Sequence, residues 1–442
     1  MKNNKRIYIE TYGCQMNVSD SEIVVSILTD NGFENTADVK MADILLVNTC
    51  SIRENAEDRV RKRLHYFNSL RKNRPELIIG LLGCMADRTK TALMEEEQLL
   101  DLIAGPDSYR HLPQLLEQVG TGQKAIDTIL SIDETYADIT PVRIDSNGVS
   151  AFISIMRGCE NYCSYCVVPS TRGQERSRDT ESIVRETRDL FNKGFREVTL
   201  LGQNVNSYNW KTGEQVINFQ QLLEKVADLN PLMRIRFATS HPKDISDELL
   251  YTIARNSNLC KAIHLPVQSG SNHILDLMNR KYTRENYMER IKAIRRIIPD
   301  CAISTDIIAG FCDETEDDHH DTLSLMEWVG YDTAFMFKYS ERPLTLASDT
   351  LQDNVPEKVK ERRLTEIINL QQKLSLANNR KEIGKIVEIL IEGKSKRSVN
   401  QYFGRSSQNK VAVFTKTASG PGNYVQVKIT GATSATLLGE VV

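Results

Sequence analysis

The sequence has no run of 18 apolar residues in its 442 positions, which excludes a transmembrane helix. Its opening, Met1-Lys-Asn-Asn-Lys-Arg6, leads straight into a strand-like segment. It lacks the apolar stretch of a secretory signal. Cysteine is scarce, nine in all, and an odd number in so long a chain argues against a disulfide framework. The net charge of −3 rules out a polycation as a whole. These absences point to a reducing cytoplasm, no membrane partner, and a chain long enough for two or three domains.

What cysteine there is stands in a pattern. Cys159-Glu-Asn-Tyr-Cys163-Ser-Tyr-Cys166 places three thiols at C-x3-C-x2-C spacing, directly after the apolar run 151–156. A structural zinc site wants four ligands, usually as paired short spacings. No second C-x2-C and no nearby histidine supply the fourth. Thiolates are the protein ligands of iron–sulfur clusters. Three of them on a four-iron cluster leave one iron open to a small molecule.

In the first segment three strand-like runs each end in a cysteine. Residues 6–13 lead to Cys14, residues 44–47 to Cys50, and residues 77–82 to Cys84. Short continuous apolar runs suit strands buried on both faces of a parallel sheet. Helical patterns follow the first two cysteines, with Ser19-x-x-Glu22 and Ser51-x-x-Glu54 as expected capping boxes. The spacing predicts a parallel α/β layer with all three cysteines at strand carboxyl ends, where such sheets bind ligands. Cys14, Cys50 and Cys84 therefore read as a second three-thiolate site.

From 146 to 375 strands alternate with helices. Six strand candidates, near 151, 197, 234, 262, 302 and 333, with helices between them fit a partial parallel (β/α)6 barrel. Polar residues at the strand ends, Gln203 and Asn204, Ser240 and His241, Gln268, and Asp306 late in the fifth strand, are candidate ligand contacts. Arg176 and Arg178 follow the cysteine loop and suit a carboxylate. His241 and His264 read as packing or capping residues. Cys260, Cys301 and Cys312 lack partners at ligand spacing.

A charged helical stretch from Pro356 to about Ile383 leads to five β-branched runs separated by Gly393, Gly404, Gly420-Pro-Gly422 and Gly431. They read as a small all-β barrel. Residues 384–442 hold eight Lys and Arg against three Glu, +5 for the tail. Tyr402, Phe403, Phe414 and Tyr424 interleave with the basic residues. That mix suits RNA, through phosphate contact and base stacking.

The cysteine loop, with Tyr165 before its last cysteine, resembles the signature of the radical S-adenosylmethionine (SAM) enzymes. Over nearly the whole chain the order of parts resembles their methylthiotransferases. Thr11-Tyr-Gly-Cys-Gln-Met-Asn17, Asn48-Thr-Cys-Ser-Ile-Arg-Glu54, Gly83-Cys-Met-Ala86 and Ser154-Ile-Met-Arg-Gly-Cys159 are similar to the subgroup acting on N6-isopentenyladenosine in tRNA. The resemblance implies a methylthiotransferase domain over 1–140, a radical SAM core over 146–375 and a TRAM-type RNA-binding domain over 378–442. It implies two [4Fe-4S] clusters, one SAM-binding on Cys159, Cys163 and Cys166 and one auxiliary on Cys14, Cys50 and Cys84. Tyr165, Arg176, Arg178, Gln203 and Asp306 would meet SAM. The implied partners are tRNA, at the isopentenylated adenosine 37 of the anticodon stem-loop, and a small reductant such as flavodoxin; a monomer is expected. Sibling targets are threonylcarbamoyladenosine in tRNA and a ribosomal-protein aspartate. A non-catalytic iron–sulfur RNA-binding protein is the reading from another class. The chain departs from the family at Cys312-Asp313, where Pro-Gly is usual, and at Leu344 and Leu346, where Gly is usual and Pro common.

Overall fold

The three cysteine-terminated runs become neighbouring strands of one sheet. This is seen in a computed structural model that describes residues 5–50, 54–86, 94, 98–144 and 146–442. The strands are β1 (Arg6–Thr11), β2 (Glu34–Asn35), β3 (Ile44–Thr49), β4 (Ile78–Gly83), β5 (Leu102–Ala104) and β6 (Ala125–Asp127). They pair in the order β2-β1-β3-β4-β5-β6, all parallel. β3 and β4 are buried along their whole length, as continuous apolar runs require. The short β5 and β6 carry too little pattern to be read from sequence.

The helix Gln15–Asp30 is buried from Met16 to Leu28 except at Val18, polar residues included. It packs on its own sheet on one side and on barrel strand β7 (Ser150–Ser154) on the other. The expected capping box at Ser19 and Glu22 is therefore displaced. β1 ends only a few residues before the helix, so Cys14 takes the N-cap position and its N–H donates to Asn17 Oδ1 at 3.4 Å. Ser19 and Glu22 lie inside the helix, buried at the domain contact. The second box rests on Ser51, outside the described residues; the helix Glu54–Arg71 that follows is present.

The middle of the chain forms the partial barrel. After β7 come two short antiparallel strands beside the cysteine loop, β8 (Met156–Arg157) and β9 (Arg176–Ser177), and then β10 (Glu197–Leu201). A surface hairpin, β11 (Asn209–Thr212) and β12 (Gln215–Asn218), precedes β13 (Arg234–Ala238), β14 (Ala262–His264), β15 (Ala302–Ala309) and β16 (Thr333–Lys338). The parallel strands run as two triplets, β7-β10-β13 and β14-β15-β16. Along β15 burial alternates, with Ser304, Asp306 and Ile308 only half-buried. That face is turned toward the lumen, away from the covering helices.

The helix Glu357–Arg380 carries the chain from one end of this barrel to the other. Lys360 lies beside Gly310 at the carboxyl end of β15, and Gln371 and Ser375 bond to the carbonyls of Tyr331 and Asp332 at the start of β16. The tail then closes as a five-stranded barrel. Its strands are β17 (Ile386–Lys394), β18 (Gln401–Arg405), β19 (Val411–Thr415), β20 (Tyr424–Ala432) and β21 (Leu437–Val441). It sits under the amino-terminal ends of the large barrel. Arg234 donates to Arg405 O at 2.7 Å and Arg236 to Ser406 O at 2.7 Å. Tyr424 donates to Leu232 O at 3.0 Å.

A buried ion-pair chain ties the first helix to the barrel. Arg143 meets both Glu22 and Glu186, and Arg178 meets Glu186 from the other side at 2.6 Å. Burial pushes the Glu22 carboxyl up to about 7, against the pull of Arg143. Its folded pKa thus exceeds its unfolded value. The folded state binds the extra proton between about 4.5 and 7, so stability falls as pH rises through that window. The loss is on the order of 3 kcal/mol. Glu22→Gln is expected to flatten this slope and raise the melting temperature at pH 8 relative to wild type, with little difference at pH 4.5. Parallel pH profiles of the two proteins would refute it.

Candidate two-cluster site

Each triad of cysteines is built by close backbone approach. Gly83 precedes Cys84 with φ +90°, and a Cβ there would meet Asn48 Oδ1 at 2.4 Å and Thr49 O at 2.6 Å. Only glycine lets the Cys84 turn lie on the Cys50 turn. The buried Asn48 amide donates to Asn17 O and to Ser21 Oγ, both at 2.9 Å, and so links the Cys50 turn to the first helix. A Cβ on Gly13 would fall 2.5 Å from Cys50 Cβ, so the Cys14 turn lies against Cys50 as well. Cys14 is exposed, while Cys50 and Cys84 are buried. The three carboxyl-end cysteines thus converge as the sheet topology demands.

The second triad sits in a loop clamped from three sides. Gly158 has φ +77°, and a Cβ there would fall 1.8 Å from Gln174 O. Cys159 N donates to Gly173 O at 3.1 Å, and Cys166 N to Cys163 O at 3.0 Å. Ser164 Oγ donates to Leu277 O at 2.7 Å, and Asn279 Nδ2 to Tyr162 O at 2.7 Å. Tyr165 meets Phe311 edge-on, with ring centroids 6.4 Å apart. Among the described residues no three His, Cys, Asp or Glu groups close on a single metal ion. A cluster of several irons holds its thiolates farther apart than one ion does.

The electrostatics of the two triads differ. Burial pushes the Cys159 thiol up to about 11 and the Cys166 thiol up to about 12. Cys14 and Cys84 are drawn down instead, first by the neighbouring Cys50 thiol and also by the charge of Arg172. Buried arginines reach both sets. Arg172 Nε donates to Cys84 Sγ at 3.1 Å, and Arg280 Nη1 to Cys163 Sγ at 3.1 Å. Asn161 Nδ2 donates to Cys159 Sγ at 3.4 Å. Neither arginine is marked by local pattern, because each meets its cysteine across at least 88 residues of chain.

Arg172 also fixes how near the triads lie. It ends the helix Val168–Arg172, six residues after Cys166, and touches Cys84. Six residues span at most about 21 Å even fully extended. The two sets therefore lie in one region of the molecule.

The expected strand-end contacts fall into two groups. Gln203 Oε1, Asn204 Oδ1, both side-chain polar atoms of Asn206, Ser240 Oγ and His241 Nε2 are buried without a hydrogen-bond partner among the described residues. Buried polar groups are rarely left so. These crowd the carboxyl ends of β10 and β13, as a polar ligand's site would. Burial and the neighbouring Arg280 hold His241 neutral, its pKa down to about 2. Asp306 faces the lumen 3.5 Å from His264 Nε2, and His264 Nδ1 lies 3.0 Å from Ser304 Oγ. His264 thus lines the lumen with polar partners rather than only filling space. Arg176 and Arg178 are elsewhere. Arg176 makes two 3.0 Å bonds to Asp107, and Arg178 bonds Glu186 and Ser182. Each guanidinium is committed to a carboxylate of the chain itself, so neither is free for a ligand.

Three family descriptions match successive parts of the chain. They are uncharacterized protein family UPF0004 over residues 6–105, the radical SAM superfamily over 153–326 and the TRAM domain over 380–442. Two curated relatives carry the name tRNA-2-methylthio-N(6)-dimethylallyladenosine synthase. That of Amoebophilus asiaticus is 58% identical over 99% of this chain and 92% of its own length. That of Bacteroides fragilis is 56% identical over 99% of this chain and 96% of its own. The chain belongs to this radical SAM methylthiotransferase family. In fold it is similar to the radical SAM methyltransferase TsrM of Kitasatospora setae, solved with cobalamin and a [4Fe-4S] cluster bound. That match has a TM-score of 0.57 at 14% identity and covers 78% of this chain and 74% of that one.

The backbone shows why glycine is usual at two of the positions where the chain departs from the family. Asp313 and Leu344 take φ +60° and +66°, the left-handed region that glycine enters without strain. Asp313 N donates to Asn354 Oδ1 at 2.9 Å, and the Asn354 amide returns a bond to Asp313. Leu344 is 54% exposed with its carbonyl accepting from Ser170 Oγ at 3.1 Å, so the backbone is held while the side chain gains little. Leu344→Gly is expected to stabilise the protein by about 1 kcal/mol. A rise in the urea midpoint would show it; a fall would refute it.

Proposed function

We propose that the chain adds a methylthio group to C2 of N6-isopentenyladenosine at position 37 of tRNA, consuming two SAM molecules and using two [4Fe-4S] clusters. The observation that carries this is the pair of three-thiol sites joined through Arg172, one at each end of a short helix. The names of relatives 58% and 56% identical over nearly the full length support the same reaction.

Cys159, Cys163 and Cys166 would hold the SAM-binding cluster, and Cys14, Cys50 and Cys84 the auxiliary one. The donor sets fit. Each offers three thiols and, among the described residues, no fourth ligand, and both receive N–H donors that stabilise thiolates. With SAM, the clusters supply radical chemistry and transferable sulfur, which an aromatic C–H without useful acidity requires. The chain's own part is placement. Gln203, Asn204, Asn206 and Ser240 offer unpaired polar atoms for the hydroxyl and amino-acid groups of SAM. Asp306 and His264 line the lumen, where the adenine would enter. Tyr165, within the cluster loop, packs edge-on against Phe311 and would steady the loop beside SAM.

The tail barrel would grip the RNA with a surface narrower than its composition implies. Phe414 is core, and Tyr424 docks on the large barrel under Arg234. Lys410 and Lys385 are paired with the chain's own acids. Lys394, the last residue of β17, and Lys396 and Arg397 just after it lie exposed, and Lys416 stands over the Tyr402 ring at 5.5 Å. The described bonds to the large barrel come instead from Glu388, Arg405, Ser406, Ser407, Gln408 and Tyr424. No helix among the described residues is long and apolar enough to cross a membrane. A monomer in the cytoplasm, reduced by a small flavodoxin-type protein, completes the reading.

Nucleoside mass spectrometry of tRNA from a deletion strain tests the reaction. Loss of the methylthio group with isopentenyladenosine retained is expected, and an unchanged methylthio signal would refute it. Replacing Lys394, Lys396, Arg397 and Lys416 by Gln is expected to weaken tRNA binding. It should lower the salt slope by about 0.7–0.9 for each phosphate that is no longer neutralised. SAM cleavage without tRNA should be unaffected. Unchanged affinity and slope would remove the tail from the RNA interface.

A further inference from the structure

The arginine contacts raise a question that sequence identity does not answer: what sets the two clusters apart in charge and potential. Each triad receives one guanidinium N–H, Arg172 at Cys84 and Arg280 at Cys163. Their surroundings are unlike. Arg280 donates its remaining bonds to neutral groups, Pro266 O at 3.0 Å and the Tyr282 hydroxyl at 2.8 Å. Arg172 Nη2 donates to Asp20 Oδ2 at 2.7 Å, and its Nη1 is buried with no partner among the described residues. Asp20 is shared, since Oδ1 accepts from Arg157 Nη1 at 2.9 Å.

We propose that Arg172, balanced by Asp20, is a positioning residue that sets the reduction potential of the auxiliary cluster and offers Nη1 to an anionic sulfur held there. The inference rests on the assignment of Cys14, Cys50 and Cys84 as ligands. Potentials of iron–sulfur clusters follow net charge and hydrogen bonds to sulfur. Reduction adds one electron to the cluster, so a nearby positive donor favours the reduced form. Asp20 opposes this by half-neutralising the guanidinium. Among the described residues nothing accepts from Nη1, which leaves it for a further acceptor, and the same guanidinium already donates to Cys84 Sγ. An external sulfide would have a donor waiting.

The test is a redox titration of the reconstituted full-length protein with dithionite, following each cluster's spectrum separately. Variants lacking the radical-cluster cysteines (C159A/C163A/C166A) isolate the auxiliary signal. Arg172→Gln is expected to shift the auxiliary potential to more negative values and to weaken the perturbation of its spectrum by added sulfide. Arg172→Lys, which keeps the charge, should restore most of the potential. Asp20→Asn should shift it the opposite way, to more positive values, an opposition that a merely structural role does not produce. The potential of the other cluster should move with Arg280→Gln and stay put with Arg172→Gln. Iron content distinguishes the two ideas at stake. Full loading with an unmoved auxiliary potential overturns the role of Arg172 alone. A Cys84→Ser variant that keeps both clusters overturns the ligand assignment, and this inference with it.

Discussion

Asp20 is the point on which the assembly turns. Its carboxylate is fully buried, yet it is held below the usual carboxylate range because Arg157 and Arg172 outweigh the cost of burial. The two arginines bracket the cysteine loop: one precedes Gly158-Cys159 and the other ends the helix after Cys166. A single carboxylate from the first helix therefore pins both flanks of a loop in another part of the chain. Asp107 repeats the arrangement from the far edge of the sheet, with Arg176 bidentate at 3.0 Å and Arg157 Nε at 3.6 Å. Buried pairs of this kind are poor sources of net stability, but losing one partner strands a charge in the interior. Their effect is to make one relative placement of the two parts far better than its neighbours. Under the proposed function two cofactor sites would address one substrate atom, and placement is what counts.

This explains which readings of the sequence held. The parallel sheet, the six-stranded partial barrel and the small closed barrel follow from local pattern, since strand period, apolar runs and turn residues are written within each segment. The convergence of Cys14, Cys50 and Cys84 followed from topology, because each ends a strand of one parallel sheet. The misplaced residues are charged ones. Arg176 and Arg178 lie close after the cysteine loop, and proximity in sequence suggested a ligand contact. Their carboxylate partners are Asp107 and Glu186. Nothing local to residues 176–178 reveals that Asp107, some seventy residues away, will be delivered to the same spot. Ser19 and Glu22 fail as a capping box for a related reason. The motif was present, but the helix had already begun, and the burial of its polar face shows only once the barrel is in place.

The position of the tail barrel constrains the substrate more firmly than its charge does. It docks where β10, β13, β14 and β15 begin, through contacts to Arg196, Arg234, Lys261 and Asp300. The cysteine loop and the unpaired polar groups lie where the same strands end. Strands of five residues rise about 17 Å, and loops at both ends add to that. A small molecule cannot touch both surfaces at once. A macromolecule can, provided one part enters the lumen while another runs along the outside of the barrel to Lys394 and Lys416. The helix Glu357–Arg380, about 36 Å long at 1.5 Å per residue, is what sets this span, because it carries the chain down the barrel before the tail folds. The distance between grip and chemistry is thus a property of one helix. A substrate with a rigid stem between its gripped part and its reacting base would read that distance directly.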